Sequence, residues 1–215
     1  MRSLRCLITA GPTREPVDPV RFLSNRSSGR MGYALAAAAL RAGAQVTLVS
    51  GPVKISPPIR AHLVRVETAE EMRRATLRTA RQADLVIMAA AVADYRPATA
   101  VKRKIKKRTE RLILHLVKTP DILAELGRRK PRRQVLVGFA AETHELLANA
   151  RTKLERKNLD FIVANPVGRP DSGFESPFNR ATLLARCGAT LAFPRMRKEV
   201  LARRLLRIFL DARAR

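Results

Sequence analysis

Residues 24–52 read SNRSSGRMGYALAAAALRAGAQVTLVSGP, a glycine-containing turn followed by an apolar helix and then an apolar strand. The alanine-rich part predicts a helix from about Gly29 to Arg41, and residues 44–50 have the composition of a buried strand. Another buried strand, Leu4–Ala10, precedes this unit across the proline-containing loop of residues 11–28. This order of strand, helix and strand predicts a parallel β-α-β unit.

The same alternation of strands and helices continues to the end of the chain. Further strands are expected at residues 63–68, 84–91, 134–140 and 160–166, with a half-exposed strand at 111–119 and an edge strand at 181–186. Further helices are expected after the capping pair Thr68 and Glu71, and at residues 119–127, 143–157 and 198–213. We predict a doubly wound, mostly parallel, Rossmann-like α/β sheet in a single domain spanning residues 1–215.

Two smaller features refine this prediction. In the short helix 119–127 we expect Thr119 as the N-cap, Pro120 at the first helical position and Gly127 at the end. The basic segment 96–111 matches no helix or strand pattern, and we interpret it as a flap.

Charge is the strongest signal in the composition, with 43 basic and 18 acidic residues giving a formal net charge of +25. A nucleic-acid-binding protein and an enzyme acting on polyphosphates both fit this charge. Aromatic residues make up only 4% and Trp is absent, which argues against single-strand binding by stacking. The basic residues also fall in separate blocks at 102–111, 127–133 and 195–215, and a general basic bias explains the last two equally well.

Hydrophobic residues, at 46%, suffice for a core, and no apolar run is long enough to cross a bilayer. The first apolar run, residues 6–10, is also too short for a secretory signal, so we expect a cytoplasmic protein. Cys6 and Cys187 lack metal-ligand spacing, and we expect two buried thiols rather than a disulfide.

Polar and glycine-containing segments follow several of the predicted strands, where ligands bind in open α/β sheets. They read TAGPT, AAAVADYRP, GFAAET and VANP. The turn SSGRMG opens a helix, so the backbone N–H groups of Ser28, Gly29 and Arg30 could face an anion. A simple helix cap explains this turn equally well. A dinucleotide-dependent dehydrogenase is less favoured, because its glycines would directly follow the first strand.

The segments ITAGPTREPVDPVRFLSNRSSGRMGYALA, VTLVSGPV, AAAVADYRP, KIKK, KTPDIL, VGFAAET and KLERKNLDFIVAN occur in this order between residues 7 and 165. Together they resemble the phosphopantothenate–cysteine ligase family of coenzyme A biosynthesis. The resemblance implies a reaction in which the carboxylate of phosphopantothenate attacks the α-phosphorus of CTP. The amine of cysteine then displaces CMP from the acyl cytidylate. Many bacterial members are fused to a flavin-dependent decarboxylase, and here we expect a stand-alone ligase without flavin.

The resemblance also assigns roles to individual residues. Asn25 matches the asparagine that contacts the acyl group, and Lys104 matches a lysine on a mobile segment over the nucleotide, so these two are the candidate catalytic residues. Ser27 is a substrate-binding candidate. The remaining nucleotide-binding candidates are Ser28, Gly29, Asp94, Pro120, Asp121, Ile122, Leu123, Phe139, Lys153 and Lys157. Without the resemblance, loop capping, solvated charge and core packing would explain the same residues.

Cofactor and partners follow from the same resemblance. Mg²⁺ is expected to be bound by phosphate oxygens and water with few protein ligands, and the three histidines form no cluster. Family members are homodimers in which the KIKK lysine lies near the partner's site, and Leu112, Leu114 and Leu116 could form an apolar interface. A separate decarboxylase could be a further partner. Residues 171–180, DSGFESPFNR, depart from the family pattern, so no functional residue is assigned there.

Overall fold

A computed structural model describes residues 3–107, 110–142, 144–166, 173 and 175–214. The described helices are α1 Arg30–Arg41, α2 Ala69–Ala80, α3 Ile122–Arg129, α4 Leu146–Arg156 and α5 Lys198–Ala214. The strands are β1 Arg5–Ala10, β2 Arg14–Pro16, β3 Phe22–Ser24, β4 Gln45–Ser50, β5 His62–Arg65, β6 Leu85–Met88, β7 Tyr95–Pro97, β8 Leu116–Lys118, β9 Val135–Glu142, β10 Phe161–Pro166, β11 Phe178–Ala185 and β12 Thr190–Arg197.

Eight of these strands form one sheet in the order β12-β11-β10-β9-β6-β1-β4-β5. The strands from β10 to β5 run parallel, and β11 and β12 are added antiparallel at one end. The predicted mostly parallel sheet is therefore confirmed. None of the helices in the described ranges is both long enough and apolar enough to cross a membrane.

Helices cover both faces of the sheet, as a doubly wound fold requires. On one face α1 and α5 pack against alternate strand residues such as Ile8, and on the other α2, α3 and α4 pack against residues such as Leu7. Both side chains are fully buried, because a central parallel strand is covered on its two faces. Phe161 of β10 and Phe209 of α5 join the first face, with ring centroids 5.2 Å apart.

The site position follows from the strand order. From β1 the chain passes through α1 to β4 on one side, and later returns to β6 on the other side of β1. Adjacent connections therefore leave the sheet in opposite directions beyond β1 and β6, which opens a crevice at their carboxyl ends. The segments predicted to carry the site lie at this edge.

The cap of α3 differs from the prediction. Asp121, not Thr119, is the N-cap, and its carboxylate accepts a hydrogen bond from the N–H of Ala124 at 2.9 Å. Gly127 lies inside the helix rather than ending it. A Cβ atom at Gly127 would lie 1.8 Å from the carbonyl oxygen of Lys157, so glycine is required there by the close approach of the end of α4.

Other predictions also need correction. The strand expected over residues 111–119 is limited to β8, which pairs with β7. Of the segment 181–186, residues 181–185 form part of β11, which is not an edge strand. The edge strand at this end of the sheet is β12, which was not predicted. The loop 11–28 contains the β2–β3 hairpin. Cys6 is buried, and burial and nearby Asp84 raise the pKa of its thiol to about 12, but Cys187 is exposed.

The capping interaction of α2 is confirmed with one difference. The Thr68 hydroxyl accepts from the N–H of Glu71 at 3.2 Å, but the Glu71 carboxylate accepts from the N–H of Glu67 rather than from that of Thr68. The cap therefore satisfies two backbone donors at the start of the helix.

Candidate active site

A cleft of about 470 Å³ lies at the carboxyl edge of the sheet, between the N-terminus of α1 and the ends of β6, β9 and β10. Except for Ser28 and Lys104, it is lined by all the site residues predicted from sequence, which are Asn25, Ser27, Gly29, Asp94, Pro120, Asp121, Ile122, Leu123, Phe139, Lys153 and Lys157. Residues spread over more than 130 positions of sequence are thus brought to one space.

The turn before α1 presents the backbone of the helix N-terminus to this cleft. Gly29 is the N-cap in a left-handed conformation with φ 75°, and among the described residues no side chain caps the helix, although the Gly29 N–H itself donates to Ser27 Oγ at 3.3 Å. A Cβ at Gly29 would lie 2.7 Å from Val53 Cγ1, and one at Gly32 would lie 2.5 Å from Ala10 Cβ. The two glycines therefore let α1 start directly against β1. An uncapped N-terminus that opens on a cleft is suited to binding an anion.

Asn25 is tethered across the mouth of the crevice. Its Nδ2 atom donates to the carbonyl oxygens of Ala91 at 3.0 Å and Val92 at 3.1 Å, so both amide hydrogens are used. The expected contact between Asn25 and the acyl group would use this NH₂ group as a donor. In the structure it binds the loop after β6 instead, and Oδ1 is the atom left to meet a ligand.

Lys153 near the end of α4 and Lys157 at its C-cap line the cleft, and both are held by carboxylates. Lys153 Nζ lies 2.5 Å from Glu142 Oε1, and Lys157 Nζ lies 2.9 Å from Asp121 Oδ2. Burial raises the pKa of Asp121, but the Ala124 N–H and the Lys157 ammonium outweigh it, so the pKa is lowered and the carboxylate stays ionised. The i,i+4 spacing gives the predicted shared helix face, and the two carboxylates offset the repulsion between the lysines.

Asp94 and Thr119 occupy the opposite lip. Thr119 donates its N–H to Asp94 O at 2.9 Å and its hydroxyl to Ala93 O at 2.5 Å, so it joins the segments after β6 and before α3. The Asp94 carboxylate lines the cleft, and among the described residues it has no hydrogen-bonding or ion-pair partner. Within the described ranges no group of three His, Cys, Asp or Glu residues could hold a metal.

Lys104 lies outside the cleft of its own chain. Its segment packs on the loop before β3, where Val101 N donates to Val17 O at 3.1 Å and Ile105 N donates to Asp18 Oδ2 at 3.1 Å. The Lys104 side chain is exposed. A role at the site of a second subunit stays a prediction.

Five polar residues that line the cleft were not among the predicted site residues, and they are Arg30, Thr119, Asn165, Asn179 and Lys198. The first three lie in the quoted segments SSGRMG, KTPDIL and VANP, Asn179 lies in the segment that departs from the family pattern, and Lys198 has no local signal. Phe139 lies in β9, in register with Val163 of the neighbouring strand β10. It is half-buried, so its ring could pack against a base or ribose.

The family profile described as "DNA/pantothenate metabolism flavoprotein C-terminal domain" matches residues 1–212. The chain belongs to this family. The family assignment agrees with the resemblance drawn from the segments between residues 7 and 165.

Individual relatives of this C-terminal domain support the assignment. The chain is 49% identical over 209 residues to the coenzyme A biosynthesis bifunctional protein CoaBC of Escherichia coli K12, covering 96% of this chain and 51% of that protein. It is 50% identical over 181 residues to a protein from an unknown prokaryotic organism named cysteine/cysteine sulfinic acid decarboxylase, covering 84% of this chain and 50% of that one. The chain thus spans about half the length of these relatives.

Among solved structures, the C-terminal domain of a CoaBC protein superposes with a TM-score of 0.83 at 40% identity, covering 99% of this chain and 98% of that one. The fold of this C-terminal domain is therefore the one described above. The departure at Pro177-Phe178 leaves Asn179 in the cleft, where it is buried and its Oδ1 accepts from Arg180 N at 3.0 Å. The altered pair thus precedes a residue that still reaches the site.

Proposed function

We propose that this chain joins 4'-phosphopantothenate to L-cysteine with CTP, through an acyl-cytidylate intermediate, in the cytoplasm. The observation that carries this proposal is the cleft itself, where an uncapped helix N-terminus, two lysines and a tethered asparagine meet. Support also comes from the 40% identity, over 99% of this chain, to the C-terminal domain of a protein named for coenzyme A biosynthesis.

In the first step a carboxylate oxygen of phosphopantothenate forms a bond to the α-phosphorus of CTP, and the bond to the pyrophosphate oxygen breaks. Both reactants are anions, so the site must offset their repulsion and the charge that develops on pyrophosphate. The backbone N–H groups at the start of α1 and the ammonium groups of Lys153 and Lys157 are placed to do so. Phosphate oxygens would compete with Glu142 and Asp121 for these ammonium groups.

In the second step the amine of cysteine attacks the acyl carbon, the bond to the CMP oxygen breaks, and the nitrogen loses a proton. Asn25 Oδ1 can accept a hydrogen bond from this amine, because the NH₂ group of the side chain is already used. The tether to Ala91 and Val92 fixes that oxygen in place. Positioning of this kind accounts for a large part of the acceleration of a bimolecular step.

Mg²⁺ fits the donors present only as an ion held mainly by the triphosphate. Among the described residues the cleft offers two aspartates, and Asp121 is paired with Lys157. Asp94 is the carboxylate that would hold the ion, and phosphate oxygens and water would complete its shell. The ion would supply neutralisation of phosphate charge.

A homodimer is the second part of the proposal. The segment before β8 exposes Leu112, Ile113 and Leu114, with Ile113 78% accessible, and the strand itself exposes Leu116 and Val117. A contiguous stretch of apolar side chains of this kind marks an interaction surface. Burial against the same surface of a second copy would bring the adjoining Lys104 segment towards that copy.

The test is an incubation of the chain with phosphopantothenate, Mg²⁺ and either CTP, ATP, GTP or UTP, with and without cysteine. We expect CTP to support pyrophosphate release and amide formation in equal amounts when cysteine is present. Without cysteine, pyrophosphate release should stop after about one equivalent per site, because the acyl cytidylate stays bound. Absence of amide product with every triphosphate would refute the proposed function.

A further inference from the structure

Lys198 is a buried lysine in the cleft that no step above uses. It is the first residue of α5, it is only 3% accessible to solvent, and it lines the same cleft as Gly29 and Asn179. Its Nζ atom donates to the carbonyl oxygen of Gly173 at 2.8 Å. A lysine is almost never buried to this degree without a structural or functional reason.

A second cation lines the same cleft and acts on the charge of this lysine. Burial and the charge of Arg30, the first residue of α1, lower the pKa of Lys198 to about 8, and Glu199 acts weakly in the opposite direction. Two positive side chains from two different helices are therefore held at one end of the cleft. This arrangement is unfavourable in the free protein, because like charges repel and a buried ammonium loses hydration.

Nearby side chains do not offset the charge of Arg30. Within the described residues Arg30 makes no ion pair, and the cleft-lining carboxylates are Asp94 and Asp121, of which Asp121 already holds Lys157. The N-terminus of α1 adds the partial positive charge of its free N–H groups at the same place. Arg30 is thus a cation at an uncapped helix start, beside a second, buried cation.

We infer that Lys198 and Arg30 bind a phosphate group of a substrate against the N-terminus of α1. Such an anion would offset the charge of Arg30, and phosphate accepts hydrogen bonds from ammonium, guanidinium and backbone N–H donors together. The inference rests on the proposed function and extends it to α5, so that the last helix of the chain contributes to the site. The triphosphate is the favoured source, because α1 is the element placed to receive it; the phosphate of phosphopantothenate is the other.

The decisive experiment is calorimetric binding of CTP, CMP and phosphopantothenate to the native chain and to Lys198→Met. We expect the variant to lose roughly 10- to 100-fold in affinity for CTP, with CMP changed less than about threefold, because a charge-assisted hydrogen bond to the phosphate chain is removed. If instead the loss falls on phosphopantothenate alone, Lys198 binds that phosphate. Unchanged affinity for both ligands would overturn the inference.

Two controls separate binding from folding and from net charge. Lys198→Arg should recover most of the affinity because it keeps a cation, and Arg203→Met, an exposed change on the same helix, should have no effect. If the native protein binds CTP and Lys198→Met binds it with the same affinity, this inference alone is overturned. Native protein that binds neither ligand would overturn the proposed function as well.

Proton uptake gives a readout that needs no variant. Near pH 8.5 a lysine with a pKa of about 8 is mostly neutral, and an adjacent phosphate should raise that pKa. CTP is fully ionised at this pH, so binding should take up roughly half a proton, measured by calorimetry in buffers of different ionisation enthalpy. Arg30 and Glu199 are the charged side chains that act on the Lys198 ammonium. Absence of uptake with both phosphate ligands would contradict the inference.

Discussion

The buried carboxylate of Asp18 accepts a hydrogen bond from the backbone N–H of Ile105, 3.1 Å away and 87 residues further along the chain. The same carboxylate accepts from Arg21 Nε at 3.0 Å, and Arg21 Nη2 donates back to Ile105 O at 2.8 Å. One aspartate therefore fixes the basic segment, with Lys104, onto the loop before β3. The hydrogen bond from Arg21 lowers the pKa of Asp18, so this attachment persists at neutral pH and is lost as the pH falls below the usual range of aspartate.

Replacing Asp18 with alanine should release the segment 101–107. We expect amide hydrogens there, Ile105 above all, to exchange roughly tenfold faster or more, because two charge-assisted contacts are removed at once. Hydrogen exchange read by mass spectrometry checks this. Asp211→Ala, at an exposed position of α5, is the matched control and should leave the exchange unchanged. Native exchange rates in Asp18→Ala would show that other contacts hold the segment.

Lys104 can be tested for action across a dimer interface. Lys104→Ala alone should slow pyrophosphate release roughly 100-fold if its ammonium stabilises developing charge, whereas Lys106→Ala, two residues on and equally exposed, should not. Mixing Lys104→Ala with Asn25→Ala chains should then restore about a quarter of native activity, because half of the dimers regain one intact site. No recovery on mixing would place Lys104 at its own chain's site or outside catalysis.

Arg129 and Lys130 belong to the basic block 127–133, whose sequence suggests dispersed surface charge. They are nevertheless unsuitable as surface-charge controls for Lys104→Ala. Arg129 pairs with Glu125 at 2.8 Å, and Lys130, with a side chain only 10% accessible, lies 2.7 Å from Asp160. Removing Lys130 would take away the close cation of Asp160, which would keep the Leu136 N–H at 2.7 Å and the more distant Arg186 at 3.9 Å. Such a change acts on stability before it acts on function.

The sequence predicts the central sheet well because its strands are buried on both faces and read as apolar runs. It misses β12, in which Pro194 removes a backbone donor, and only an edge strand tolerates that. The stretch 112–116 alternates like a strand, but a strand forms only where a partner runs beside it, and β7 reaches no further than Leu116. Local pattern cannot supply the partner.

The same limit applies to the site. Glycines and the asparagine before α1 can be found in sequence because they lie within one continuous segment. Thr119 looks like a helix cap, yet its hydroxyl reaches Ala93, 26 residues earlier, and Asp121 takes the cap. Lys198 has no local signal, since only the antiparallel return of β11 and β12 brings α5 to the cleft.

Variants of Asn25 can distinguish its role in tethering the loop after β6 from its contact with substrate. In Asn25→Asp a carboxylate would face the carbonyl oxygens of Ala91 and Val92, so the loop should detach, and a further negative charge would lie beside the reacting acid. We expect amide synthesis to fall roughly 100-fold or more, with folding retained. The same loss in Asn25→Ala, measured as amide product, would show that the tether and Oδ1 matter more than the added charge. Near-normal synthesis in both variants would make Asn25 a structural loop residue.

The lowered pKa of Lys198 also predicts how the stability of the chain depends on pH. The pKa of Lys198 is lowered to about 8 in the folded chain and is close to 10.5 in the unfolded chain. Between these values the unfolded state binds more protons, so this group makes the free energy of unfolding rise with pH from about 8 towards 10. Below pH 8 it is charged in both states and destabilises the fold, by at most roughly 3 kcal/mol for a shift of this size.

Lys198→Met should therefore be more stable than the native chain at pH 7, and the two should converge towards pH 10. Urea unfolding measured at intervals between pH 6.5 and 10 gives the difference directly, and groups common to both chains cancel in it. The gain at pH 7 is reduced by the lost hydrogen bond to Gly173, so we expect about 1–2 kcal/mol. Saturating CTP should reverse the order, because the native chain alone gains the phosphate contact. A variant that is less stable than the native chain at every pH would show that Lys198 holds the structure together rather than being kept, at a loss of stability, for a bound anion.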